Sequence, residues 1–217
     1  LTTINEDVAH VLKQSDLKQD IQNDVLESLI LADSELNRCQ RLTHSLLGVA
    51  ELTHGKPLVY WNMGNLIARV IQLVKVGHRN AHIQFDWSES DFSALSLKNA
   101  DLVFQIMLNL LRNAVYALEH SGEKDPKIEI GLKNAGKHYE IFVKDNGPGL
   151  SYQVREHLFQ PFITSKPPGE GTGLGLYASL LMAQKLGGNL EISNNTGQGV
   201  LACLKLSEAY IKNELGE

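Results

Sequence analysis

Two asparagines, Asn109 and Asn113, stand four apart in the segment QIMLNLLRNAVYAL at 105–118. On a helix that spacing puts both amides on one face. Magnesium takes oxygen ligands and keeps few protein groups beside phosphate oxygens and water, so an Asn carbonyl can serve it without adding charge next to a polyphosphate. Asp145 directly follows the alternating segment HYEIFVK and opens Asp-Asn-Gly-Pro-Gly-Leu at 145–150. There a carboxylate can accept a hydrogen bond while Gly147 and Gly149 let a ligand approach the backbone. Gly169, Gly171, Gly173 and Gly175 precede an apolar helix-forming run, and amides at the positive end of a helix make a natural phosphate cradle. Each signal alone has an ordinary structural counterpart: a core amide pair, a plain Asp-Asn-Gly turn, a glycine-rich loop.

The pattern around these residues predicts helices at 65–77 and 100–119, a short helix at 151–158 and a further one at 174–186. Strands are expected at 81–87 and 92–97, at KIEIGLK and HYEIFVK around the turn Asn134 to Gly136, and at NLEIS and GVLACLKLS. Segregated in this way, they describe an α+β domain, a two-layer sandwich with an antiparallel or mixed sheet and helices on one face. Upstream, apolar residues recur with helical spacing at Leu1, Ile4, Val8 and Leu12, then from Ile21 to Val49. This spacing describes two antiparallel helices of unequal length, and the long apolar stripe is most economically buried in a four-helix bundle made by two chains. His54-Gly55-Lys56-Pro57-Leu58 interrupts the pattern, so the expected domains are a helical hairpin at 1–55 and a second unit at 56–217.

Composition bounds the function. With 43% hydrophobic and 21% charged residues among 217, the chain has the balance of an ordinary globular protein. A net charge of −5 and the absence of a Lys/Arg-rich stripe argue against nucleic acid. Cys39 and Cys203 offer neither a disulfide framework nor a CxxC zinc site. No apolar run approaches the ~18 to 20 residues of a membrane span, and a cytoplasmic location is expected. Gly173-x-Gly175-x-x-Ala178 fits a dinucleotide fingerprint but follows a Pro/Gly-rich loop where a strand is required. Gly131-x4-Gly136-Lys137 approaches a P-loop, yet His138 stands at the Ser/Thr position inside a hairpin.

Taken together and in this order, QIMLNLLRNAVYAL, DNGPGL, LFQPFITSK (158–166) and GEGTGLGL (169–176) resemble the N, G1, F and G2 boxes of the sensor histidine kinases of two-component systems. That GHKL ATPase fold is shared with type II topoisomerases, mismatch-repair ATPases and a family of heat-shock chaperones. The resemblance covers 60–206 and is nearest to the nitrogen and dicarboxylate sensor subgroup. It implies Mg-ATP binding, with Asn113 on the magnesium, Asn109 beside it, and Asp145 on the exocyclic amine of adenine. Gly147, Gly149, Gly171, Gly173, Leu174 and Gly175 then line the nucleotide, TSKPPGEGT forms a lid with Lys166 and Thr172 near phosphates, and Phe159 and Phe162 anchor that lid. Hydrolytic relatives carry Glu where Asn109 stands; Asn is no general base, which favours phosphoryl transfer over rapid hydrolysis.

Three departures accompany the resemblance. Tyr116 replaces a residue often basic, and Lys98-Asn99 replaces a common Gly-Asp. The accepting His lies in a His-Glu-x-x-x-Pro-Leu pattern that is absent here; LTTI at 1–4 resembles the stretch just after that Pro, so the acceptor is expected a few residues before Leu1. His10 lacks an acidic neighbour and is a weak alternative. The implied partners are ATP or ADP, a response-regulator receiver domain and a second copy of the chain. A non-catalytic nucleotide-binding scaffold and a GHKL-type ATPase are the competing readings. A Ser/Thr kinase of the mitochondrial dehydrogenase-kinase type would need a larger helical N-terminal domain.

Overall fold

The computed structural model describes residues 60–78, 82–93, 95–167 and 171–213. The expected helical hairpin, with His10, and Gly169 of the glycine-rich loop lie outside the described residues. In chain order the elements are β1 (Tyr60–Asn62), α1 (Met63–Gly77), β2 (Gln84–Asp86), α2 (Glu89–Ser93), β3 (Leu95–Lys98) and α3 (Ala100–Glu119). The hairpin β4 (Lys127–Asn134) and β5 (His138–Asp145) comes next, then α4 (Tyr152–Glu156), α5 (Gly175–Lys185), β6 (Asn189–Asn194), β7 (Val200–Ser207), a 3₁₀ turn and β8 (Ile211–Asn213).

The main sheet has the order β2-β4-β5-β7-β6, and only the β2–β4 pair is parallel. Alternation along the strands sends Ile128, Ile130, Ile141, Val143, Ala202, Leu204 and Leu206 to a buried face, as a period of two requires. On that face lie the apolar stripes of α1, α3 and α5 in one continuous core. The opposite face carries paired charges, Lys144 with Glu129 at 3.2 Å and Lys205 with Glu191. Helices therefore cover one side of a mixed sheet, as the pattern predicts. The hairpin also settles the P-loop resemblance: Gly131 is a ladder residue opposite Phe142, and a Cβ there would collide with the Phe142 ring.

Helix α3 is the spine. Val103, Ile106, Met107, Leu110, Leu111, Ala114 and Val115 are all buried, and each large apolar side chain contributes ~1.5–3 kcal/mol by leaving water. It begins after Asn99, which adopts a left-handed φ of 56°, a conformation Asn tolerates better than most residues. At its other end Glu119 takes His78 of the α1 terminus at 2.9 Å, tying the two helices together.

Local pattern and structure differ in two places. Of the segment 92–97 read as strand, Phe92 belongs to α2 and is fully buried, and the strand itself starts at Leu95. That strand does not join the main sheet either. β3 pairs antiparallel with β1 and β8 in a separate three-stranded sheet, whose three- and four-residue members are too short to show a period.

Candidate functional site

Asp145 ends the central strand β5 and is 6% exposed. Its Oδ1 accepts two backbone N–H groups, from Gly147 at 2.9 Å and from Val200 at 3.2 Å. Among the described residues no hydrogen bond reaches its Oδ2. Burial pushes this carboxyl above its ordinary range, and the two amide donors pull the other way. A buried carboxylate with one oxygen fixed and one open is a poised acceptor, because an unmet buried acceptor is costly until a ligand donor arrives.

Asparagine amides hold the turn beyond it. Asn146 Oδ1 accepts Lys127 N–H at 2.7 Å and its Nδ2 donates to Asp125 O at 2.8 Å. Asn194, at the end of β6, accepts Leu150 N–H at 2.6 Å and donates to Leu150 O at 3.0 Å. Gly149, between them, has φ 79°, the left-handed conformation that favours glycine.

Gly147 packs toward α3, with its Cβ direction 3.6 Å from Leu118 Cδ2 and 3.7 Å from Ala117 Cβ. One turn back along α3, Asn113 Oδ1 accepts from Lys166 Nζ at 3.2 Å, and that ammonium lies 4.1 Å from the centre of the Tyr116 ring. A further turn back, Asn109 Nδ2 donates to Gly175 O at 3.3 Å and to Ser179 Oγ at 3.2 Å. Asn109 and Ala117 are about 12 Å apart along the axis at ~1.5 Å per residue. Three different chemistries, an open carboxylate, a cation and a glycine-rich helix start, are thus strung along one face of one helix.

At the glycine-rich end, helix α5 begins with no side-chain cap on its first turn, leaving orphan amides of the kind that attract anions. Leu174 is buried, its N–H bonded to Thr172 Oγ1 at 3.3 Å. Gly173, φ 65°, lies so close to Phe162 that a Cβ would strike that backbone, and Gly173 O accepts Phe162 N–H at 3.0 Å. Gly171 packs against the Thr164 hydroxyl with no room for a side chain.

The two phenylalanines behave differently. Phe159 packs on the core. Phe162 is 71% exposed and has φ 66°, so it ties this segment down through its N–H and not through its ring. Gly199 and Val200 were missed by the sequence reading. The Val200 amide fixes Asp145 Oδ1, and Gly199 passes so near the Asp145 carbonyl that a Cβ would overlap it. Their local sequence, Thr-Gly-Gln-Gly, is that of any strand-connecting turn.

Comparison with known proteins agrees with this arrangement. Residues 98–209 match the model of the histidine kinase-, DNA gyrase B- and HSP90-like ATPases. The chain belongs to that family. Sensor histidine kinase ZraS of Escherichia coli K12 is 28% identical over 165 residues, covering 76% of this chain and 34% of its own length. The C4-dicarboxylate transport sensor protein DctB of Rhizobium meliloti is 38% identical over 99 residues, 46% of this chain and 15% of its own. The nitrogen regulation protein NtrY of Azorhizobium caulinodans is 29% identical over 156 residues, 70% of this chain and 20% of its own.

Among solved structures, the catalytic domain of histidine kinase ThkA superposes with TM-score 0.58 at 25% identity, covering 70% of this chain and 96% of that one. Full-length ShkA in complex with AMPPNP superposes with TM-score 0.64 at 21% identity over 94% of this chain and 43% of that one, a likeness of fold. The described domain is an ATPase-type catalytic domain of the kind that sensor histidine kinases carry. The chain spans about a third of the length of the first of these curated relatives.

Proposed function

We propose that this domain binds Mg-ATP and presents its γ-phosphoryl group to a histidine outside the described residues, from which it passes to an aspartate of a response-regulator receiver domain. The observation that carries the reading is Asp145, buried at the end of β5 with Oδ1 held by two amides and Oδ2 open among the described residues. An exocyclic amine supplies the donor such an oxygen lacks. The triphosphate then runs along α3 toward the uncapped first turn of α5, with Gly171, Thr172, Gly173 and Gly175 beside it.

Asn113 fits a magnesium ion in one respect, since its Oδ1 is a neutral oxygen with a second lone pair beside the one that accepts from Lys166; the ion, when bound, would neutralise charge on the phosphate oxygens. Asn109 spends its donors on α5 and brings no carboxylate. That supports holding the nucleotide for transfer over rapid hydrolysis, because no general base for water stands there. The same reading makes the parent a cytoplasmic kinase core, with 1–55 as the dimerising hairpin and receiver-docking surface of a homodimer. Among the described residues no helix is long and apolar enough to cross a membrane.

Titration calorimetry with ADP and a non-hydrolysable ATP analogue plus magnesium tests the site. Asp145→Asn keeps an Oδ1 acceptor for the two amides but loses the charge-assisted bond, an expected weakening of about 10²-fold. Equal binding by the variant would refute the adenine assignment. Incubation with labelled ATP tests the transfer: acid-labile label at His10 would make that residue the acceptor.

A further inference from the structure

Lys166 brings a cation to this site, and it lies half-buried on the segment after Phe162, whose neighbouring residues 163–165 and 167 are exposed. A lysine on such a loop has no fixed position of its own, since its stem carries ~2 kcal/mol of rotamer entropy. Here two groups one turn apart on α3 lie against the ammonium. Asn113 Oδ1 lies 3.2 Å away, and the Tyr116 ring centre lies 4.1 Å away. Residues 113 and 116 are i and i+3 neighbours, so both face the same point above the helix. Tyr116 is itself half-buried and stacks on His120 with ring centres 4.1 Å apart and 26° between planes. Its face is therefore fixed, whereas the lysine is tethered by flexible bonds.

We infer that Tyr116 is a positioning residue for phosphate recognition: its ring seats the Lys166 ammonium beside Asn113, where the ammonium meets the nucleotide's phosphate oxygens. The inference rests on the nucleotide reading of the site and adds to it a residue whose side chain bears no charge. Lysine contacts phosphate as a point charge with three rotatable donors, so holding it in place decides how much of that attraction is realised. A cation over an aromatic face is stabilised by the ring quadrupole and needs the ring, not the hydroxyl. The phenol oxygen is dispensable for this role.

The test is a cycle of four chains, wild type, Tyr116→Leu, Lys166→Met and the double variant, with Tyr116→Phe as the conservative control. Affinity for a non-hydrolysable ATP analogue is measured by calorimetry, and affinity for adenosine by displacement of a fluorescent adenosine derivative. The expected result is that Tyr116→Leu weakens the ATP analogue about fivefold and leaves adenosine unchanged. Tyr116→Phe should match wild type, and in the Lys166→Met background the Tyr116→Leu change should have no further effect.

The inference is overturned if Tyr116→Leu weakens adenosine as much as the ATP analogue, which marks a merely structural ring. It is also overturned if the loss persists without Lys166, if Tyr116→Leu has no effect, or if Tyr116→Phe behaves like Leu. Wild type that binds neither ligand would remove the nucleotide site itself and the inference with it, an outcome distinct from the others. Lys166→Met and Tyr116→Phe leave the packing of α3 in place, so those arms remain readable should Tyr116→Leu fold poorly.

Discussion

The two ends of the proposed nucleotide site are made in opposite ways. At the base end, Asp145 is fixed by the central strand of the sheet, by two amides, one from the turn after it and one from the start of β7, and by glycines that let β5, that turn and β7 approach one another. At the phosphate end, Phe162 and Ile163 are exposed, the Phe162 backbone has a positive φ, and the cation arrives on a lysine side chain. One end is prebuilt by packing and the other is assembled from side chains on a surface loop. On the nucleotide reading proposed above, this asymmetry would let the site recognise the base through a rigid acceptor and leave the phosphate side free to reorganise, as loops drawn from the less tightly packed parts of a structure do.

The sharpest way to break the contrast is at Gly199. With φ 87° and its Cβ direction filled by the Asp145 carbonyl, Gly199→Ala must move the end of β5 or the turn. The expected loss is about 3–5 kcal/mol, from a disfavoured backbone together with overpacking. That corresponds to a fall in Tm of roughly 10 °C for a domain of this size, read by thermal denaturation without nucleotide. An Ala variant as stable as wild type would mean the base end is no more rigid than the loop.

A smaller and oppositely signed effect sits at Asp145. Burial raises its pKa above the ordinary 3.8, outweighing the Gly147 and Val200 hydrogen bonds. At low pH the carboxyl is protonated in both folded and unfolded chains and costs nothing. As pH climbs through 3.8 the unfolded chain ionises first, so the folded state loses relative stability until the raised pKa is passed. Asp145→Asn should therefore stabilise the nucleotide-free chain at neutral pH, by about 1 kcal/mol, with the gain shrinking to nothing as pH falls below 3.8. A gain that instead grows on acidification would overturn this view of the carboxylate. Nucleotide affinity should take the reverse course, falling at a higher pH than an exposed aspartate would give, because the protonated acid no longer offers a charged acceptor.

The contrast also explains which parts of the molecule could be read from residue order. Helices α1, α3 and α5 and the β4–β5 hairpin carry full periods of apolar residues, so their type and place can be read from local pattern. Asn109, Asn113, Asp145 and the glycines of 171–175 stood out because phosphate, metal and base chemistry demand those residue types. The three-stranded sheet did not, since pairs such as Leu97 with Ile211 join residues far apart in sequence through strands of three or four residues. Phe92 has the β-propensity of an aromatic residue, yet it lies fully buried within α2. Val200 acts on Asp145 from 55 residues away, with Gly199 beside it, and the Lys166–Tyr116 contact joins α3 to the segment after Phe162. Long-range proximity of this kind leaves no local trace.

The least disruptive perturbation bears on Phe162, and it separates ring from backbone. The sequence resemblance makes this ring an anchor for the lid, whereas 71% of the residue faces solvent. Phe162→Ala should shift stability by no more than about 0.5 kcal/mol and nucleotide affinity by less than about threefold. Phe162→Gly removes the same ring but also relieves the φ of 66°, and it should stabilise the chain by up to about 1 kcal/mol more than the Ala variant, offset in part by glycine's greater unfolded-state freedom. Denaturant unfolding of the pair measures the difference. A Phe162→Ala variant that lost nucleotide as completely as Asp145→Asn would show that the ring closes onto the ligand, and the phosphate end would then hold its geometry as tightly as the base end does.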